Sequence, residues 1–113
     1  MSEAIQQLRR SRCAPCEAGT PPLTAAQIQP LLAGLQGWAL EDGRIAKTYR
    51  FKNYHETMAF VNASAWISHR EDHHPDLLVG YNQCKVVYVT HAIGGLSRND
   101  LICAAKLDAL FDL

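Results

Sequence analysis

The chain has 113 residues, and its 11 lysines and arginines balance its 11 aspartates and glutamates. This length predicts a single domain with its own core, and the even charge provides no global field to attract nucleic acid or an anionic membrane. We therefore expect a small neutral substrate or a protein partner, with no direct nucleic-acid partner and no membrane partner. The first ten residues lack the apolar core of a signal peptide, which favours a cytoplasmic protein.

Residues 1–22 are predicted to form a flexible leader, and residues 23–113 to form the single domain. The leader is polar, and two consecutive prolines at its end break any helix. Its Cys13-x-x-Cys16 pair lacks both a thioredoxin-like context and the two further ligands of a zinc site. We expect these cysteines to be free thiols in a reducing compartment and the leader to have no function in catalysis.

The first half of the domain is predicted to form a helix and a hairpin. Thr24 is a good N-cap for a helix over about residues 25–35. The runs 38–41 and 44–51 then flank an Asp-Gly pair, which is a strong short-range signal for a β-hairpin.

The second half repeats this order with unrelated sequence. Asn53 can cap a long helix that runs to about Glu71, and the proline at position 75 confirms that the helix has ended. The runs 76–81 and 84–91 are predicted to pair as a second hairpin around a turn at residues 82 and 83. A capping-box pattern that begins at Ser97 predicts the last helix.

The resulting order is α-β-β-α-β-β-α, which favours an α+β fold: a four-stranded antiparallel sheet of two hairpins, with three helices packed on one face. The long helix has one apolar stripe containing Tyr54 and Val61, and a second containing Phe60 and Ile67 on roughly the opposite side. A helix that is apolar on two sides is buried on two sides. In so small a domain we expect a subunit interface, and therefore a homodimer or homotetramer.

Four of the five histidines, His69, His73, His74 and His91, lie within 23 positions. The second predicted hairpin places position 91 across from about position 74. His73, His74 and His91 are therefore expected to converge at one edge of the sheet.

Three interpretations of this convergence remain open from the residues alone. The histidines can be polar residues at the ends of elements, with no chemistry. His69 and His73, four positions apart on a helix, have a spacing that zinc uses, but no glutamate follows in a His-Glu-x-x-His pattern. The third interpretation is general acid–base catalysis without metal, since histidine exchanges protons near neutral pH.

A resemblance favours the third interpretation. The run Glu-Asp-His-His-Pro at residues 71–75, then Tyr81, then Thr90-His91, and then the run 95–100 resemble the signature of the pterin-4a-carbinolamine dehydratases. The resemblance covers about residues 22–112. Two positions depart from it, because His69 replaces an acidic residue of many members and Leu77 replaces an aromatic residue of some.

The resemblance implies dehydration of 4a-hydroxytetrahydropterin, the product of aromatic amino-acid hydroxylases, to the quinonoid dihydropterin. It implies that His73 and His91 act as acids toward the departing hydroxyl and that His74 binds substrate or acts as base. Neither a metal nor an organic cofactor is expected. The implied substrate-binding residues are the three histidines together with Pro75, Thr90 and Ala92, and the supporting residues are His69 and Asp100.

Two further points qualify these roles. The simplest role of Asp100 is to cap the last helix at its third position. The alternative for the whole chain is a non-enzymatic dimerisation or assembly cofactor, or a transcriptional coactivator, since members of this fold family also act in those ways. An intact set of three histidines argues for an enzyme.

Overall fold

The computed structural model describes residues 2–112. Within that range the helices are α1 (Glu3–Arg10), α2 (Ala25–Gly34), α3 (Tyr54–Glu71) and α4 (Arg98–Ala109), and the strands are β1 (Ala39–Glu41), β2 (Arg44–Arg50), β3 (Asp76–Val79) and β4 (Gln83–Tyr88). Two short 3-10 helices comprise His91–Ile93 and Leu110–Asp112. Among these residues no helix combines the length and apolar character needed to cross a membrane.

The four strands form one antiparallel sheet in the order β1-β2-β4-β3. The two predicted hairpins, β1–β2 and β3–β4, join through β2 and β4, where Ile45 pairs with Tyr88. Asp42 and Gly43 of the first turn have φ of 50° and 77°, the left-handed backbone that a two-residue type I′ hairpin requires. The predicted α+β class and its four-stranded antiparallel sheet are therefore confirmed.

The core lies between one face of this sheet and the helices. Alternate residues of β4, namely Cys84, Val86 and Tyr88, are fully buried, as the two-residue period of a strand predicts for a sheet covered on one face. The ring of Phe60 in α3 packs at a tilt against that of Tyr49 in β2, with 4.5 Å between the centroids. The covered face thus packs directly against the long helix.

The leader differs from the expectation of a flexible segment, because residues 3–10 form α1. Ser2 caps this helix by accepting a hydrogen bond from the Ile5 N–H. Ile5 and Leu8 lie one turn apart and are buried in the same core cluster as the residues of α4. Two apolar side chains in a polar segment are a weak sequence signal, but here both are in the core. The prediction of a loose leader is wrong for this helix.

The second hairpin is also shorter than predicted. β4 ends at Tyr88, and His91 begins a 3-10 helix instead of ending the strand. Asp76 pairs with Val87, so the same register continued outward would place Val89, and not His91, across from His74. The expected register was therefore wrong by two residues, since the turn between the strands occupies residues 80–82.

The buried face of α3 is not the pair of apolar stripes that the sequence predicted. Phe60 is buried, but its neighbours on that face are the hydroxyl residues Thr57, Ser64 and Ser68. Thr57 donates its hydroxyl to the Tyr81 carbonyl, and Ser64 bonds a carbonyl of its own helix. Small side chains that satisfy their own polar atoms can be buried on a closely packed helix face.

Candidate active site

A cleft of about 470 Å³ lies where the end of α3, the segment after β4 and the start of α4 meet. His73, His74 and His91 all line it, together with Thr90 and Ala92. The three predicted catalytic histidines thus lie in one cleft despite the error in register.

The end of α3 directs the first two histidines into this cleft. Asp72 adopts the left-handed conformation, with φ of 50°, and its N–H bonds the His69 and Ser68 carbonyls. Aspartate is one of the few residues other than glycine that tolerates this backbone. The His73 N–H also bonds the Ser68 carbonyl, at 3.1 Å. This C-cap stops the helix abruptly and turns the following residues toward the start of α4.

His73 is held on two sides. Its Nε2 lies 2.6 Å from Oδ1 of Asp100, and its ring stacks on Tyr88 at 5.7 Å between centroids with 7° between the planes. Its side chain is only 12% exposed. Of the three histidines, it is the one with a carboxylate partner among the described residues.

Asp100 is fully buried and accepts two hydrogen bonds besides that of His73. Its Oδ2 accepts from the Thr90 hydroxyl at 2.8 Å and from the Ser97 N–H at 2.9 Å. The second bond belongs to a capping box with Ser97 at the start of α4, as predicted. Because a carboxylate only accepts, the His73 nitrogen that faces it donates, and Nδ1 is the ring nitrogen that Asp100 does not engage.

His74 and His91 are exposed at the cleft. His91 opens the 3-10 helix that Gly94 ends, with φ of 65°. A bridge between Thr90 and Gly95 closes the base of this turn, with the Thr90 N–H 3.0 Å from the Gly95 carbonyl. The short loop therefore presents His91 and Ala92 to solvent at a position set by the buried Thr90.

Tyr88 forms an aromatic platform against the ring of His73. Burial, followed by the neighbouring Cys103, raises the pKa of Tyr88 far above neutrality. Its hydroxyl lies 3.4 Å from that of Ser68 on α3. Tyr88 is therefore a neutral phenol at neutral pH, and its ring orients the ring of His73.

Three predicted site residues, Pro75, His69 and Asp100, are not among the lining residues of the cleft, although Asp100 contacts His73. The ring of His69 packs against Trp66 on α3, 5.7 Å between centroids. Residues 2–112 contain no group of three histidine, cysteine, aspartate or glutamate side chains placed to hold a metal ion.

One wall of the cleft was not predicted from the sequence. The leader segment, which we define as residues 12–16, contributes Cys13, Ala14, Pro15 and Cys16 to its lining, and α4 contributes Asn99. Nothing in the local sequence predicts this contact, because it joins residues more than 80 positions apart. The burial of α1 against the domain and the contacts of the leader with Glu71 and Asn99 bring it there.

Comparison with known proteins gives a consistent family match. Residues 21–110 match the model of a family described as pterin 4 alpha carbinolamine dehydratase. A protein of Nitrosomonas eutropha, provisionally named a pterin-4-alpha-carbinolamine dehydratase, is 63% identical over 107 residues, 94% of this chain and 95% of its own. A protein of Nitrosospira multiformis with the same provisional name is 58% identical over the full length of both chains.

A solved structure has the same fold. The chain matches a transcriptional coactivator/pterin dehydratase from Brucella melitensis with a TM-score of 0.76 and 28% identity, over 79% of this chain and 97% of the other. The match to the family model begins at residue 21, so the leader segment lies before it.

Proposed function

The chain belongs to the pterin-4a-carbinolamine dehydratase family, and on that premise we propose that it dehydrates 4a-hydroxytetrahydropterin to quinonoid dihydropterin. The reaction recycles the pterin cofactor of aromatic amino-acid hydroxylases. The observation that carries the proposal is the cleft that holds His73, His74 and His91, with His73 anchored on the buried Asp100.

The chemistry needs one proton delivered and one removed. The bond between C4a and the hydroxyl oxygen breaks, and the oxygen leaves as water after it takes a proton. A ring nitrogen next to C4a loses its proton, and the electron pair of that N–H bond forms the new carbon–nitrogen double bond. Groups that gain and lose protons near neutral pH suit both steps, and histidine is the side chain with this property.

We assign the delivery of the proton to His73 and His91. His73 delivers the proton from Nδ1 of its imidazolium form and is left as the neutral ring, because its Nε2 is engaged by Asp100, and Asp100 acts as a positioning residue that fixes the ring. His91, which is exposed at the same cleft, also serves the hydroxyl. His74, which is exposed beside them, binds the substrate or accepts the proton that leaves the ring nitrogen.

The test is turnover of 4a-hydroxytetrahydropterin generated in place by an aromatic amino-acid hydroxylase. His73→Ala, His74→Ala and His91→Ala should each reduce the rate, by roughly 10²–10⁴-fold for a residue that acts as general acid or base. His55→Ala is the matched control, since His55 lies at the opposite end of α3, ~27 Å away at 1.5 Å per residue. Wild-type turnover by the His91 variant, or a large loss in the His55 variant alone, would contradict the proposal.

A second candidate is a coactivator or assembly role without catalysis. It is favoured by the Brucella melitensis structure, whose name gives both a transcriptional coactivator and a pterin dehydratase. The same assay separates the two candidates, since a scaffold without catalysis leaves dehydration at its unassisted rate.

We also propose that the protein is a homo-oligomer. The support is exposed apolar side chains on two faces of the domain: Trp66 (61% exposed) and Tyr54 (51%) on the outer side of α3, and Leu78 (71%) on the open face of the sheet. Trp66 and Tyr54 lie on α3, and exposed apolar surface of this kind is typical of an interface. Sedimentation at micromolar concentration should give a dimer or tetramer, and a clean monomer would contradict this part of the proposal.

A further inference from the structure

The leader segment is tied to the walls of the cleft by its backbone. The Cys13 N–H donates to Oε1 of Glu71 at 2.8 Å. Asn99 makes two bonds to Ala14: its Oδ1 accepts from the Ala14 N–H at 3.0 Å, and its Nδ2 donates to the Ala14 carbonyl at 2.6 Å. The Arg12 guanidinium lies 3.0 Å from Glu71. Four polar contacts thus hold three consecutive leader residues.

The two anchors are themselves well fixed. Asn99 belongs to the first turn of α4 and directly precedes Asp100, the partner of His73. Glu71 is the last residue of α3, its side chain is 5% exposed, and Lys106 lies 3.8 Å from it. The leader also contacts the core, because Cys13 Sγ lies 3.6 Å from the buried Cys103 Sγ. The segment therefore rests on the same two helix ends that place the histidine cleft.

Ala14, Pro15 and Cys16 line the cleft that His73, His74 and His91 line. They contribute small apolar groups and one polarisable thiol, but no imidazole and no carboxylate. A flat heteroaromatic ring gains dispersion contacts from such a surface. Groups of this kind contact the substrate equally in its ground state and its transition state.

We infer that residues 13–16 form part of the pterin-binding wall and set the affinity for the substrate, with Asn99 as the residue that positions them. The identity of the ligand rests on the proposed function. When a variant loses the same binding energy in the ground state and in the transition state, KM rises and kcat is unchanged. The leader thus contributes to substrate affinity from a position before the part matched by the family model, which begins at residue 21.

Asn99→Ala removes both bonds to Ala14 and leaves the His73–Asp100 contact in place. We expect KM to rise about fivefold to tenfold, the size of one or two net hydrogen bonds, with kcat within about twofold of the wild type. The matched control is Asn62→Ala on the exposed side of α3, which should change neither constant. An Asn99 variant with wild-type KM, or one that loses kcat alone, would overturn the inference.

A second measurement uses the unmodified full-length protein and does not depend on how the variant folds. Cys16 is half-buried at the cleft, whereas Cys84 is buried in the sheet. Iodoacetamide labelling, resolved cysteine by cysteine by mass spectrometry, should become several-fold slower at Cys16 when 7,8-dihydrobiopterin is bound. Cys84 should stay unreactive in both states, which reports that the domain remains folded.

A pterin wall formed by the leader and the proposed dehydratase activity can be disproved separately. If calorimetry detects binding of 7,8-dihydrobiopterin but the labelling rate of Cys16 does not change, the leader is not part of the pterin wall and the proposed function stands. If 7,8-dihydrobiopterin does not bind and the wild type does not accelerate dehydration, the proposed function is wrong and this inference is wrong with it.

Discussion

Two aspartates of α4, eight residues apart, have similar hydrogen bonding and different chemistry. Asp100 accepts from His73, Thr90 and the Ser97 backbone. Asp108 at the other end of the helix accepts from Trp38 at 3.2 Å and from Lys47 at 2.9 Å, and also from the Tyr49 hydroxyl. Each carboxylate thus has three donors.

The difference lies in what the donors can do. Lysine keeps its proton at neutral pH, the indole of Trp38 does not titrate, and burial together with the Asp108 charge raises the pKa of Tyr49 far above its usual range. Of the two clusters, only that of Asp100 contains a histidine, the type of side chain whose ordinary pKa lies near neutrality. A buried, fully bonded carboxylate is therefore not evidence of an active site, whereas one bonded to a histidine at a cleft is.

The largest expected effect is on turnover, and it should differ between a change at Asp100 and the same change at Asp108. Asp100→Asn keeps an acceptor for the Ser97 N–H, so the cap of α4 survives, but it removes the charge that holds His73. We expect dehydration to slow by roughly 10²–10⁴-fold, while Asp108→Asn leaves turnover nearly unchanged below its unfolding temperature. Steady-state assays of both variants measure this, and equal losses of turnover in the two would erase the distinction.

The next expected effect is on the free energy of unfolding. Here the cluster that matters is that of Asp108, not that of Asp100. Lys47→Met removes the cation beside Asp108, whose side chain is 16% exposed, and leaves that charge buried without its partner. We expect a loss of about 3 kcal/mol in the free energy of unfolding, read from urea denaturation.

Lys85→Met is the matched control for that variant. Lys85 pairs with Glu41 at 2.8 Å, but their side chains are 35% and 51% exposed. Its loss should cost less than about 1 kcal/mol. Similar losses for the two lysines would mean that Asp108 is hydrated and that its cluster does not stabilise the core.

Glu71 gives the smallest effect and the clearest pH dependence. Burial alone would raise the pKa of Glu71, but the Cys13 N–H, Lys106 and Arg12 together outweigh it and lower the pKa below the usual 4.5. A lowered pKa in the folded state contributes stability above the unfolded value, and this is lost as the pH falls through the folded value. Glu71→Gln should therefore cost about 1 kcal/mol at pH 7.

Below pH 4.5 the unfolding curves of Glu71→Gln and the wild type should converge, because the wild-type carboxyl becomes protonated as well. The control is Glu3→Gln at a side chain that is 91% exposed, which should follow the wild type at every pH. A difference between the Glu71 variant and the wild type that stays constant from pH 7 to pH 3 would contradict the account of this charge.

Much of the fold could be predicted because its signals are local. The Asp-Gly turn defines the first hairpin, and Thr24, Asn53 and Ser97 cap α2, α3 and α4 as expected. Each of these signals acts within four residues of the position that it determines. They do not depend on which other parts of the chain are near.

The parts that could not be predicted depend on packing between distant residues. The burial of Leu8 in α1 requires the core that α4 helps to build, and α3 buries Thr57 and Ser64 because it packs closely. Asp100 has the predicted capping role and also holds His73, which no pattern in its own turn indicates. The three histidines were found from their spacing, but the leader that lines the same cleft was not.

The central claim is that His73, held in place by Asp100, transfers a proton in the cleft, and nitrogen-15 NMR of the histidine rings tests it most directly. With neutral rings, His73 should carry its proton on Nε2, toward Asp100, and Nδ1 should be bare. Addition of 7,8-dihydrobiopterin should shift the Nδ1 resonance of His73, and the rings of His74 and His91 should respond while that of His55 does not. A neutral His73 protonated on Nδ1, or a bound pterin that leaves the His73 ring unchanged, would contradict the account.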